Sequence, residues 1–261
     1  MHDAERSAGE YDAMAAEYAA DNAGNGFNAF YERPATIALL GDVEGLRVLE
    51  AGCGSGMLTA WLADHGALVT AFDVSPAMLE IARAKLGDRA RLLVADLGRA
   101  LTFAKDASFD LVVASLVLHY VRDWGGVLRE FARVLRPDGH VVVSTHHPAM
   151  DWQLHAKDDY FAVRQITETW SKGSGHFEVT FWRRPLTAMS EDIADAGLVI
   201  ERLVEPAPLP ELAELDPAAY EVLVSAPRFL FLRLARSRAA GRPPGPVRAA
   251  PGVPAGPARA R

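Results

Sequence analysis

The residues best equipped for chemistry in this 261-residue sequence gather around one glycine-rich turn. Gly52, Gly54 and Gly56 alternate directly after an apolar run, Leu46 to Leu49, and Glu50 stands two residues before the first of them. Glycine accepts positive φ and has no Cβ, so a ligand can lie against the main chain while the following helix offers its free N–H groups. A second apolar run, Leu68 to Phe72, ends in Asp73, 17 residues after Gly56. An acid at the end of an adjacent parallel strand sits beside such a turn and can accept both hydrogen bonds of a ribose diol. Asp73 could instead cap the next helix, but Ser75 before Pro76 already suits that position. Three histidines add proton chemistry: His119 follows one apolar run, and His146 and His147 follow another. A neutral imidazole can take the proton of a hydroxyl, and each of the three could equally be structural.

The turn itself separates two kinds of ligand. A dinucleotide fingerprint, G-x-G-x-x-G, needs glycine at position 57, where this chain has Met57. Glu50 would repel a pyrophosphate and attract a sulfonium or an ammonium group, so a cationic ligand is favoured over a nicotinamide dinucleotide. With Glu50, Gly52, Gly54 and Gly56 matching (D/E)-x-G-x-G-x-G, the sequence resembles the class I S-adenosylmethionine-dependent methyltransferases of small-molecule type. Asp73-Val74-Ser75-Pro76-Ala77-Met78-Leu79 is similar to the family's second-strand signature and Val94-Ala95-Asp96-Leu97 to its third. Ser108 to Ala114 and Leu135 to Val143 resemble the fourth and fifth strands, so the likeness runs in order from 46 to 145. It implies S-adenosylmethionine as cofactor, with Asp73 on the ribose, Met78 against the adenine and Asp96 at the adenine amino group. Val74, Leu97 and Ser115 complete the implied contacts. The segment Tyr11-Asp12-Ala13-Met14-Ala15-Ala16-Glu17-Tyr18 is similar to one that closes over the cofactor in related enzymes; the alternative is a surface helix stapled to the core by its tyrosines.

These residues need a frame. Strand and helix patterns alternate five times between Leu46 and Thr145, with helices over Met57 to Asp64, Pro76 to Leu86 and Asp123 or Trp124 to Leu135. That alternation predicts a doubly wound α/β fold with ligands at the carboxyl ends of parallel strands. Leu198 to Leu203 reads as a sixth strand and Arg228 to Ala235 as the last. The resemblance implies that the last strand inserts antiparallel between the fifth and sixth, making a mostly parallel, seven-stranded Rossmann-like sheet. Phe27 to Leu40 reads as a helix leading to the first strand, its Tyr31 and Arg33 within reach of the cofactor's carboxylate, and Arg33 equally a solvated charge.

From Ala149 to Arg184 the alternation stops. Tyr160 to Trp170 and Phe177 to Arg183 read as an inserted β-hairpin, and seven of the 22 aromatic residues fall in this stretch. The excess predicts a substrate-lining lid over about 149–185, carrying Trp152, Tyr160 and Trp170 with Tyr18 opposite; a dimer contact and a private core are the alternatives. The expected acceptor is a small, partly aromatic or apolar molecule of the secondary-metabolism kind, methylated on O or N.

Composition narrows the partners. The net charge is −7, yet from Val222 onward there are eight arginines and no acid, leaving the rest at about −15. A nucleic-acid substrate is disfavoured on that count, and because Ala114-Ser115-Leu116-Val117 stands where base-directed amino-methyltransferases carry Asp/Asn-Pro-Pro-aromatic. No apolar run reaches 18 residues and no basic-then-apolar leader opens the chain, so the expected setting is cytoplasmic, without a membrane span, as monomer or homodimer. No metal motif is present, and Cys53 reads as a small buried residue rather than a nucleophile. The expected organisation is one domain, 1–238, followed by a disordered Ala/Pro/Gly/Arg tail, 239–261. The rival functions are a domain that holds S-adenosylmethionine without transferring its methyl group and, less favoured, a nicotinamide oxidoreductase.

Overall fold

A computed structural model describes residues 3–155, 158–173 and 175–237. The tail expected at 239–261 lies outside the described residues. The strands are β1 Arg47–Ala51, β2 Leu68–Asp73, β3 Ala90–Val94, β4 Phe109–Ser115, β5 Leu135–His146, β6 Arg164–Lys172, β7 Gly175–Arg183, β8 Leu198–Val204 and β9 Phe229–Arg236. Seven of them form one sheet in the order β3-β2-β1-β4-β5-β9-β8, and β6 pairs with β7 alone. The first five strands are mutually parallel, and β9 runs antiparallel to both β5 and β8, where the likeness to the family placed it. Fold class and separate hairpin therefore stand as expected.

Helices cover both faces because the central strands are apolar on both. Val48, Leu49, Val112, Val113, Val141 and Val142 are all fully enclosed, as strands buried on two sides must be. The helices are α1 Asp3–Ala13, α2 Ala15–Gly24, α3 Arg33–Leu40, α4 Met57–Asp64, α5 Pro76–Leu86, α6 Trp124–Val134, α7 Pro148–His155, α8 Leu186–Asp195, α9 Leu212–Leu215 and α10 Pro217–Ser225. Leu39, Leu58, Leu62 and Leu79 pack under one face of the sheet, and Trp124, Phe131, Met189 and Ile193 under the other. Ser75 accepts from the Met78 N–H and Asp123 from the Gly126 N–H, so α5 and α6 begin where those caps are.

Three departures from the sequence reading bear on the site. The expected helix over Phe27 to Leu40 opens with a π-helical turn, Asn28–Glu32, in which the Arg33 N–H reaches back to the Asn28 carbonyl. The N-terminal segment is two helices broken at Met14, whose φ of −120° and ψ of 13° interrupt the ladder. The hairpin is shifted from its expected bounds and preceded by α7, which the sequence pattern did not suggest.

The hairpin is fastened rather than free. Val179 and Phe181 are fully buried in a small core with Met14 and Tyr120, with Tyr11, Tyr18, Ile166, Trp170 and Phe177 around them. Arg184 at its foot is buried, donates to the carbonyls of Val121 and Arg122, and lies 4.6 Å over the Trp124 ring. Burial lowers the Arg184 pKa to about 10, with Asp192 opposing the shift.

Candidate active site

Two joined cavities open at the carboxyl edge of the sheet, of about 320 and 520 Å³. The first is built by the β1–α4 turn. Gly52 has φ +70°, and a Cβ there would stand 2.3 Å from Val117 Cγ2, so no other residue fits the turn. Gly54 has φ +52° with nothing within 4 Å of its absent Cβ; that open side lets a ligand lie on the backbone. Gly56 has another role, since its absent Cβ would meet Ala82 at 3.1 Å and it packs α4 against α5 instead of lining the cleft.

Asp73 ties this turn to β2. One carboxylate oxygen accepts from the Gly54 N–H at 2.8 Å and the other from the Ser75 N–H at 2.9 Å. Its seclusion pushes the carboxyl pKa up, while the N–H groups of Ser75, Gly54 and Val74 pull it back. Glu50 is 2% exposed and accepts from Thr59 Oγ1 at 2.7 Å. Burial, helped by the nearby charges of Asp73 and Glu32 and opposed by Thr59, raises its pKa to about 8. A buried carboxyl so perturbed is poised for a cation that would favour its charged form. Val74, Asp96, Leu97 and Ser115 also line this cavity. Cys53 is buried in the turn and seclusion drives its thiol pKa well up, so it is no thiolate nucleophile.

Helix α1 closes the first cavity from outside, contributing Asp3, Ala4, Ser7 and Tyr11. It is clamped on two sides. Asp12 accepts from Ser75 Oγ at 2.5 Å and the Ala77 N–H at 3.1 Å, while Asp3 accepts from Trp182 Nε1 at 3.0 Å. Tyr11 and, on α2, Tyr18 line the cleft and also pack into the small core beneath the hairpin, so the segment both covers the cleft and is stapled to the body.

Glu32 is the residue the sequence reading overlooked. Its Oε1 accepts from Thr36 Oγ1 at 2.7 Å, Ser115 Oγ at 2.8 Å and Ser144 Oγ at 2.5 Å, joining α3, β4 and β5 at the cavity wall. The π turn explains the omission. One extra residue in the turn rotates the helix, so Glu32 and Arg33 line the cleft while Tyr31 does not. The Tyr31 hydroxyl instead accepts from the Arg228 N–H at 3.2 Å, and its ring stacks on Phe229 at 5.5 Å. Assigning Tyr31 to the cofactor is thus corrected to a structural role. Met78 needs the same correction, since it is wholly buried at the start of α5 and reaches neither cavity.

The second cavity holds two of the three histidines. The rings of His119 and His146 stack at 4.0 Å, and His146 Nδ1 faces Asp151 Oδ1 at 3.5 Å. His119 is 2% exposed, and burial followed by the neighbouring His146 and Arg184 pushes its pKa well down. His147 points elsewhere, its Nε2 on Glu205 Oε1 at 2.7 Å, because alternate residues of an extended chain face opposite ways. Trp170 lines the second cavity, and Tyr18 lines both. Trp152 and Tyr160 line neither: they meet edge to face at 6.3 Å, with Trp152 Nε1 donating to the Asp158 carbonyl at 2.6 Å. Their assignment to the acceptor is corrected accordingly; α7 turns Trp152 toward the foot of the hairpin.

Tyr11, Tyr18, Asn28, Leu116 and Tyr120 line both cavities and form the joint between them. Tyr11 and Tyr120 share a hydrogen bond of 2.6 Å, and burial raises both phenol pKa values well above the usual range, so both stay neutral. Leu116 is held at φ +46°, where a branched side chain is strained, by its N–H to the Ser144 carbonyl and hydroxyl.

A backbone cradle flanked by carboxylates, opening through an aromatic joint onto histidines, defines a cleft for a cationic nucleoside and a second molecule. Comparison with known proteins agrees. Residues 49–143 match the family model described as a methyltransferase domain. A ubiquinone biosynthesis O-methyltransferase of Xanthomonas oryzae pv. oryzae is 30% identical over 199 residues, 69% of this chain and 77% of that protein. A malonyl-[acyl-carrier protein] O-methyltransferase of Pseudescherichia vulneris is 34% identical over 167 residues; the match takes in 60% of this chain and just 63% of that relative's length. The crystal structure of an S-adenosylmethionine-dependent methyltransferase from Mesorhizobium loti superposes with a TM-score of 0.65 at 29% identity, over 82% of this chain and all of that one. The chain belongs to the S-adenosylmethionine-dependent methyltransferases. Its cradle fits that cofactor: Gly54 leaves open backbone, Asp73 presents a carboxylate beside it and Glu50 a buried acid for the cationic end.

Proposed function

We propose that this protein transfers the methyl group of S-adenosylmethionine, by in-line displacement, to an oxygen or nitrogen of a small organic acceptor. The observation that carries this reading is the junction: cradle and histidine-bearing cavity share five wall residues, so two ligands can meet there. Bound in the first cavity, the cofactor supplies an electrophilic methyl group on a sulfonium. The chain's own part is positioning, which removes much of the barrier by itself.

Asp73 would hold the ribose and Glu50 would balance the cationic end. Asn28 and the neutral phenols of Tyr11, Tyr18 and Tyr120 would line the approach and exclude water. His146 is assigned as the base that takes the acceptor's proton, with Asp151 stabilising the imidazolium formed. His119 stays neutral in its apolar setting and orients the acceptor by its ring. We assign residues 1–238 to one catalytic domain with the lid insertion at about 149–185, acting on a small, partly aromatic or apolar acceptor in the cytoplasm as monomer or homodimer. Among the described residues no helix is long and apolar enough to cross a membrane.

The test is turnover. Incubation with S-adenosylmethionine and a panel of phenolic, carboxylic and amine acceptors should release S-adenosylhomocysteine with at least one of them. Tight cofactor binding with no product from any acceptor would leave a domain that holds the cofactor silently. Calorimetric binding of NAD but not S-adenosylhomocysteine would overturn the cofactor itself.

A further inference from the structure

One charged side chain on the wall of the second cavity stands without a polar partner among the described residues. Its carboxylates each have a polar neighbour: Asp21 has Lys172, Glu168 has His155 Nε2 at 2.8 Å and Trp170 Nε1 at 2.9 Å, and Asp151 has His146 Nδ1 at 3.5 Å. Arg228 also lines this cavity, and its guanidinium takes no hydrogen bond or ion pair among the described residues. The contact it does make is with the Phe27 ring, 5.8 Å from Cζ to centroid. Its backbone meanwhile is held firmly, the N–H donating to Tyr31 and the carbonyl accepting from the His147 N–H at 3.0 Å. A half-buried guanidinium on a fixed backbone, with five donors in a planar fork, suits a carboxylate taken in bidentate fashion.

The neighbours say what carries that carboxylate. Phe229, the next residue, stacks on His146 at 6.0 Å, so aromatic surface runs from the guanidinium to the proposed base. Trp170 and Tyr18, stacked at 6.3 Å, line the same cavity.

Resting on the methyl-transfer reading, we infer that the acceptor is an anionic aromatic, its carboxylate held by Arg228 and its hydroxyl presented to His146 at the other end of the ring. Arg228 is then a specificity-determining residue and the second cavity a site for hydroxylated aromatic acids. An uncharged phenol would cover the half-buried guanidinium without supplying a counter-ion, which costs binding.

The experiment uses the full chain saturated with S-adenosylhomocysteine, titrated in a calorimeter with a panel of mono- and dihydroxybenzoates and hydroxycinnamates and with the carboxamide of each. At least one acid should bind roughly ten-fold or more tightly than its amide, the size expected of a charge-assisted hydrogen bond. Arg228→Gln should erase that preference, and Arg228→Lys should keep part of it. Unchanged melting temperatures and S-adenosylhomocysteine affinity in both variants would show that they fold. Acids binding no better than amides, no acid binding at all, or a preference that survives Arg228→Gln would each overturn the inference. Failure of S-adenosylhomocysteine to bind the parent protein would instead sink the methyl-transfer reading beneath it.

Discussion

The two cavities are built on different plans. The first has a floor of backbone and carboxylates from consecutive strand–helix turns, within the stretch matched by the methyltransferase domain model, and is closed from outside it by α1, α2 and the π turn. The second draws on segments far apart in the chain: α2 and the π turn, the ends of β4 and β5, α7, the hairpin and the start of β9. One must hold an invariant cofactor, and main chain with short acids cannot drift far from its task. On the proposed reading the other takes the acceptor, and its walls come from connections and insertions, which can vary without disturbing the sheet.

Substitutions should separate the two. The largest effect is expected for His146→Ala, which should lower turnover by about 10²- to 10⁴-fold, the usual contribution of general base catalysis, while S-adenosylhomocysteine affinity holds. Equal loss of both, read by steady-state kinetics beside calorimetry, would make His146 structural. Asp73→Ala should do the reverse. Losing two hydrogen bonds to a carboxylate, at roughly 1.5 to 3 kcal/mol each, should weaken cofactor affinity by about 10²-fold or more.

Glu50 gives a subtler signal through protons. With its pKa at about 8 in the ligand-free protein, binding a cation beside it should favour the carboxylate and release a proton near pH 7. Affinity should then rise with pH, by up to about ten-fold per unit, and level off above 8. Titrations in buffers of different ionisation enthalpy would count the proton, and Glu50→Gln should flatten the profile. For stability the sign is opposite. A carboxyl whose pKa rises on folding from 4.5 to about 8 stabilises the fold fully below 4.5, and that contribution fades as pH climbs through 8. Ligand-free Glu50→Gln should therefore melt above the parent at pH 8 to 9. The smallest effect belongs to the joint. Tyr11→Phe removes its hydrogen bond to Tyr120 and should cost about 1 kcal/mol of stability, seen in urea unfolding, with cofactor affinity reduced only slightly.

The division between the cavities is also the division between what could be read early and what could not. Gly52, Gly54, Asp73 and Asp96 were legible because each lies at or just past the end of its strand, and parallel strands bring such ends to one edge. Helices α4 and α5 were legible to the residue, since glycine and Ser75-Pro76 mark their starts. Tyr31 was misplaced because a π turn carries no periodic signal until tertiary contacts hold it, here the three hydroxyls gathered on Glu32. Trp152 and Tyr160 were misplaced for a related reason: aromatic content shows that surface must be covered, not which partner covers it. Helices α7 and α10 went unread, one short and the other of mostly exposed residues.

Order along the chain thus determined the sheet, its cofactor cradle and the acids at its rim, because local spacing and strand ends encode them directly. The pairing of His146 with Asp151, the neutral tyrosine joint and the exposure of Arg228 to the second cavity were decided only in three dimensions. Each depends on residues brought together across long loops, and side-chain burial and charge balance exist only once those loops close.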